Sequence, residues 1–215
     1  VSSQTARAGN ASTISTDAAA PPRRIGLGIF SILAGVVGWY AAFELLTERI
    51  RELINPSYVP GCNVNILVQC GKNMESWQGS LFGFTNPILG VAGWMAVILM
   101  GVALVAGVRF PRWWWRVYLL GVTLAFVFVV WLISQSLFVL GTLCPWCMVT
   151  WVATIPAFWY TLGHVGREGM LGSGERVRAF FSGLYSWAWV IAILCFAIIA
   201  FLAQLQLQWI PRAFL

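Results

Sequence analysis

The stretch Trp113–Gly163 reads WWWRVYLLGVTLAFVFVVWLISQSLFVLGTLCPWCMVTWVATIPAFWYTLG, and its only charged residue is Arg116. As a single helix rising ~1.5 Å per residue it would be about 75 Å long, more than twice a ~30 Å hydrocarbon core. The run must therefore fold back once. Gly141-Thr142 is the best turn, because Gly permits unusual backbone angles and Thr can cap the helix that follows. Two spans result, Val117–Val139 and Cys144–Leu162.

Working outward, Pro87–Val108 is a further apolar span. Arg109, Pro111, Arg112 and Arg116 bracket Trp113–Trp115, which reads as an interfacial turn with basic anchors. Arg23 and Arg24 precede an apolar run from Ile25 to about Leu46. Such a pair can open a twin-arginine signal, but the run is long enough to span and no small-residue cleavage site follows, so it is read as a retained first transmembrane helix. Val1–Pro22, rich in Ala, Ser and Thr, has no helical apolar stripe. Downstream, His164–Arg178 is a polar turn, Phe180–Leu205 a fifth span, and Gln208, Trp209 and Arg212 end the chain.

The most polar stretch between spans is Thr47 to Phe84, with Glu48, Arg49, Arg51, Glu52, Lys72 and Glu75. Thr47–Ile54 can continue the first helix beyond the membrane, after which Asn55-Pro56 and Pro60-Gly61 mark turns. The expected organisation is a disordered cytoplasmic tail (1–24), four helices with an outer loop at 47–85 (25–163), a cytoplasmic turn (164–179), a fifth transmembrane helix (180–206) and an outer tail (207–215).

Composition agrees. The chain is 60% hydrophobic and 9% charged, where soluble domains carry roughly a quarter charged residues. A mean hydropathy of +0.80 calls for a bilayer around most of it. Its 13 Trp and 14 Phe suit aromatic belts at both interfaces. The net charge of +6 does not indicate nucleic acid, because the basic residues lie in short clusters between apolar runs and form no stripe. Those clusters set topology instead. Five spans put Arg7, Arg23, Arg24, Arg109, Arg112, Arg116, Arg167, Arg176 and Arg178 on one face, and Arg49, Arg51, Lys72 and Arg212 on the other. Nine against four places the first face in the cytoplasm of a multi-pass inner (plasma) membrane protein. The 62–70 loop and the 140–144 turn then share the outer face.

Four of the five cysteines form two close pairs there. Cys144-Pro145-Trp146-Cys147 opens the fourth span. With Thr142 as cap, Cys144 falls in the first helical turn, where unpaired N–H groups and the helix dipole favour a thiolate. Pro145 is tolerated because its missing N–H has no partner to lose. The bland reading is that both cysteines merely pack in an apolar helix. A zinc site is disfavoured, since Cys62 and Cys70 are too far apart for a metal knuckle and the other pair sits at the edge of lipid. Outside the cytoplasm Cys62 and Cys70 are normally oxidised, which alone reads as a loop staple. Beside a C-x-x-C on the same face, they read as the other half of a relay that exchanges through mixed disulfides. Cys195, mid-span among Leu194, Phe196 and Ala197, is a packing residue, and His164 is assigned no catalytic role.

The order of motifs resembles the vitamin K epoxide reductase family, in its bacterial branch. It runs from an apolar helix to Cys62 and Cys70 with seven residues between them, Ser76-Trp77-x-Gly79, Phe82-Gly83, Asn86-Pro87-Ile88-Leu89-Gly90 opening a helix, and the C-x-x-C opening the fourth. The resemblance covers about Gly26 to Val165. It implies an all-α integral membrane protein: a four-helix transmembrane bundle around a quinone pocket, with a fifth peripheral helix. By position it implies that Cys147 faces the quinone, that its partner Cys144 exchanges with Cys70, and that Cys62 receives electrons from a partner protein. Ser76 matches the family's loop hydroxyl and Asn86 its polar residue near a quinone oxygen, although each can equally cap a helix. Trp146 and Trp151 are candidates for bordering the quinone and equally for anchoring at the interface.

The implied function is reoxidation of a secreted thioredoxin-fold disulfide catalyst at the expense of menaquinone or ubiquinone. Bacterial relatives often carry a fused thioredoxin-like domain after a fifth helix, and here the sequence ends ten residues after Leu205, so a separate extracytoplasmic partner is expected. Gly141 stands where the vertebrate enzymes have a tyrosine, so quinone reduction is favoured over epoxide reduction. Two rivals remain. One is the unrelated disulfide-forming membrane protein of four helices, in which the C-x-x-C precedes the wider pair. The other is a non-catalytic membrane protein with a stapled loop.

Overall fold

Prolines, glycines and runs of apolar residues divide the chain into helices. The computed structural model describes residues 25–172 and 174–207. Within them lie α1 (Ile25–Ile54), α2 (Gly71–Glu75), α3 (Pro87–Val105), α4 (Arg112–Ser134), α5 (Pro145–Arg167) and α6 (Glu175–Leu207). A 3-10 turn, Trp77–Ser80, follows α2, and a π-helical turn, Gln135–Leu140, prolongs α4. Pairing between extended segments among the described residues is confined to one isolated bridge. The expected tails fall on 1–24 and 208–215, outside the described residues, while Leu207 closes α6.

The reversal expected at Gly141-Thr142 is present. Gly141 adopts φ 65°, the left-handed region that a Cβ would strain, and so ends the π-helical turn. Several boundaries differ from expectation. The Trp113–Trp115 triplet is the first turn of α4 rather than an interfacial turn, because Pro111 is a ready N-terminal boundary and Trp and Arg carry no helix-breaking penalty. Likewise α5 runs on to Arg167. His164 therefore lies within the helix, fully buried, its ring 4.7 Å from that of Trp115. The continuation of α1 through Thr47–Ile54 occurs as its sequence allows.

Among the described residues four helices are long and apolar enough to cross a membrane: α1, α3, α6, and α4 with its π-helical turn. Only 11% of the most apolar window of α4 is buried by protein, so the remaining surface needs a non-aqueous solvent. The 23-residue α5 falls outside that set although it is about 35 Å long. Its position explains this. It packs against α1, α4 and α6, and a helix covered by protein can carry Thr, Gly and His where a lipid-facing one needs Leu and Val.

The buried face of α1 repeats small residues at 28, 31, 35, 38 and 42, a spacing of three and four that forms one seam. That seam receives α3. A Cβ on Gly35 would lie 2.6 Å from Ile98, and one on Gly101 would lie 2.7 Å from the carbonyl of Gly28. Such close backbone approach is how helices associate in lipid, where the hydrophobic effect offers no preference. The packed pairs are α3 with α1, α1 with α5, and α5 with α4, while α6 lies behind α5. The row α3–α1–α5–α4 is therefore packed on three sides, and α3 and α4 face each other across a cavity.

Candidate functional site

The loop between α1 and α3 is tied down one hydrogen bond at a time. Buried Glu48 accepts from the Tyr58 hydroxyl (3.1 Å), the Gly61 N–H (3.0 Å) and Arg51 (3.3 Å), so the last turns of α1 hold the segment that delivers Cys62. Cys62 and Cys70 are joined by a disulfide. Asn63 Oδ1 accepts the N–H groups of Cys70 (2.9 Å) and Gly71 (3.1 Å), satisfying the start of α2, which has no side-chain cap from Cys70 itself.

The loop then docks on the α4–α5 turn in a fixed register. Leu143 N–H donates to Leu67 O at 2.7 Å and Gln69 N–H to Leu143 O at 3.0 Å, forming a parallel bridge of Val68 with Leu143. Lys72 Nζ donates to Leu140 O at 2.6 Å, and Thr142 Oγ1 to Asn73 Oδ1 at 3.0 Å. Just beyond the bridge, Cys70 and Cys144 bring their sulfurs to 3.4 Å, and both side chains are fully buried.

Cys144 occupies the N-cap position of α5, and its sulfur accepts the Cys147 N–H at 3.3 Å. The cap expected from Thr142 is thus supplied by Cys144. Thr142 is drawn away to Asn73, because its backbone belongs to the segment docked on the loop. Cys144 and Cys147 are not bonded to each other, and Cys62, 8% exposed, is the less buried end of the disulfide. From loop to cavity the sulfurs follow one another in the order Cys62, Cys70, Cys144, Cys147.

Cys147 lines a cavity of about 680 Å³ between α3 and α4. The cavity extends along α4 from Tyr118 to Gln135, which at ~1.5 Å per residue is about 25 Å. Its walls are mostly apolar, and loop residues Ser76, Gln78 and Phe82 cover one end. Ser76 lines it while also capping the 3-10 turn: its hydroxyl donates to Asn73 O (2.8 Å) and accepts Gly79 N–H (3.3 Å). Asn86 lines it without capping α3. Its Nδ2 donates to Gln78 O at 2.6 Å, and its buried Oδ1 has no partner. Trp151 is in the wall. Trp146 is not: it packs beside the cysteines and edge-on to Tyr40, pointing away because it precedes Cys147 by one residue on the helix. Cys195 packs among apolar residues of α6 and its neighbours.

Residues 29–162, more than half of the chain, match the pattern that defines the vitamin K epoxide reductase family. The chain belongs to the vitamin K epoxide reductase family. The matched region runs from α1 nearly to the end of α5 and leaves out α6, the helix that packs outside the cavity. Among curated proteins none matches the chain. Membership in the vitamin K epoxide reductase family, together with the disulfide pair, assigns the chain a redox function in the membrane.

Gln78, Thr85 and Gln135 join this site without having been singled out from the sequence. Gln135 had a signal. It sits with Ser134 and Ser136 as a polar break in an apolar span, and polar groups at such depth are costly unless they line a cavity or pair.

Proposed function

We propose that this protein oxidises thiols of an extracytoplasmic thioredoxin-fold partner and delivers the electrons to a membrane quinone. The observation that carries the reading is the placement of Cys144. It lies 3.4 Å from one sulfur of the loop disulfide and one helical turn from Cys147, which lines the cavity. A merely stapled loop has no need of a second, unbonded sulfur against its disulfide.

In the proposed cycle a partner thiolate attacks the Cys62–Cys70 bond at Cys62, and the partner's second thiol closes its own disulfide, leaving Cys62 and Cys70 as thiols. Cys70 attacks Cys144 of a Cys144–Cys147 disulfide and releases Cys147. Cys62 then attacks Cys70, restoring the loop disulfide and releasing Cys144. Two electrons and two protons now reside on Cys144 and Cys147. A quinone held in the cavity would supply the acceptor for these two electrons and two protons, and their loss from Cys144 and Cys147 re-forms the Cys144–Cys147 bond. The residues fit such a group: an apolar cavity for the tail, Cys147 in its wall, and at the loop end partnerless buried oxygens of Asn86 and Gln78 that can accept from the hydroxyls of its reduced form. Ser76 and Asn86 are assigned to the polar end of that site. The side between α3 and α4 admits the quinone from lipid.

The nine-to-four basic asymmetry supports an outer location for the cysteines, where a membrane quinone keeps the compartment oxidising.

The test mixes purified protein with a reduced thioredoxin-fold dithiol and a soluble short-chain quinone, following quinone absorbance. Wild type is expected to consume quinone and Cys147→Ala is not. Equal rates for the two would overturn the mechanism.

A further inference from the structure

Three buried oxygens without partners line the cavity at its loop end: Gln78 Oε1, Thr85 Oγ1 and Asn86 Oδ1. Gln78 is the most constrained. Its side chain is enclosed, with the residue 3% exposed, and its Nε2 donates to Gln135 Oε1 at 3.2 Å across the mouth between loop and π-helical turn. Its carbonyl is fixed separately by Asn86 Nδ2, so the backbone cannot retreat. An amide oxygen left unpaired in an apolar enclosure is costly, and it can be satisfied only by a donor.

We propose that Gln78, hinged on Gln135, reads the redox state of the ring bound in this cavity. This deepens the quinone reading and rests on it. In the arrangement seen, Gln78 Oε1 is free to accept, which suits the hydroxyl of a quinol. A quinone has only acceptors and needs the opposite polarity. Turning both amides over supplies it: Gln135 Nε2 then donates to Gln78 Oε1, the Gln–Gln bond is kept, and Gln78 Nε2 faces the quinone carbonyl. Each of the two states keeps the Gln–Gln bond and turns toward the ring the polarity that form of it needs. Gln78 is a contact residue in this scheme and Gln135 a positioning residue.

The test uses the full chain carrying Cys147→Ala, so that no electrons move. A short-chain quinone and its quinol are titrated separately, with binding read from quenching of Trp94 and Trp151, which line the cavity. Gln78→Met, similar in size but without donor or acceptor, is expected to weaken both forms about tenfold or more. Gln135→Met is expected to weaken both by less, since Gln78 survives but loses its hinge. In the otherwise native chain Gln78→Met should raise the quinone KM while the rate of partner exchange at Cys62–Cys70, read without quinone, stays the same. A folding defect would slow that exchange too, and Gln135→Met then carries the test. Loss of affinity for one form alone would mean a fixed donor or fixed acceptor and would overturn the switch. Unchanged affinity for both would remove Gln78 from the site while leaving the quinone reading intact. Failure of the Cys147→Ala chain to bind either form, with the native chain consuming no quinone, would overturn both.

Discussion

Gln69 donates its backbone N–H to the carbonyl of Leu143 at 3.0 Å, and each of these residues immediately precedes a redox sulfur. The bridge is thus a ruler: its register places Cys70 beside Cys144, and a slip of one residue would carry the sulfurs apart. Replacing Gln69 with Pro removes the donor. In a chain with Cys62→Ala and Cys147→Ala, Cys70 and Cys144 are expected to form a mixed disulfide readily. Adding Gln69→Pro should cut its yield several-fold, measured by non-reducing electrophoresis at fixed oxidant. Equal yields would show that side-chain packing alone aligns the sulfurs.

Glu48 holds the other side of the loop. Removing its carboxylate leaves the Gly61 N–H and the Tyr58 hydroxyl without their acceptor, the first of them on the residue next to Cys62. An unsatisfied polar group costs about 1–3 kcal/mol when fully buried. Gly61 is exposed and Tyr58 half-buried, so Glu48→Ala should fall at the low end of that range in urea unfolding. Glu48→Gln keeps an acceptor and should lose less. Proteolysis at 55–61 should quicken in the same order, and identical cleavage of all three chains would refute the clamp.

The helices were legible because their signal is one of length: Trp113–Gly163 is too long and too apolar to cross once, and Gly141 is the position best suited to the turn. The cysteine order was legible because spacing and motif survive in one dimension. What could not be read was which groups meet across the loop. Thr142 has the side chain of a helix cap, yet Asn73, nearly seventy residues away, takes its hydroxyl, and the sulfur of Cys144 fills the vacancy. Trp146 adjoins Cys147 in sequence, but one residue on a helix is a turn of about 100°, enough to put it on the other side of the sulfur. Gln135 stands out alone as a polar break in its span but Gln78 does not, and only their contact gives the two a joint role.

The four paired cysteines and Cys195 should separate cleanly. Cys62→Ala, Cys70→Ala, Cys144→Ala and Cys147→Ala are each expected to abolish quinone-linked oxidation of a partner dithiol, since the relay has no bypass. Cys195→Ala should leave the rate within about twofold, because it removes one sulfur from an apolar contact surface and no reacting group. Retained turnover in Cys62→Ala with a small thiol such as dithiothreitol, but not with a protein dithiol, would fit as well, because a small thiol can attack nearer the bundle. Full turnover of Cys144→Ala with the protein dithiol would break the relay.

Gly93 on α3 and Gly121 on α4 both line the cavity, and a Cβ added at either meets nothing within 4 Å. A larger side chain can therefore enter the space without moving the backbone, unlike one at Gly35 or Gly101 in the α1–α3 seam. If the tail of a quinone lies between α3 and α4, Gly93→Leu and Gly121→Leu should obstruct it. The expected result is a rise of about tenfold in KM for a long-tailed quinone in lipid nanodiscs, with little change for a short-chain analogue that needs only the loop end. Gly35→Leu should instead lower thermal stability and depress turnover of both substrates together, since α3 must shift from α1 to admit it. Equal effects of Gly93→Leu on long and short quinones would place the tail elsewhere, because a filled gap on its path must discriminate by length.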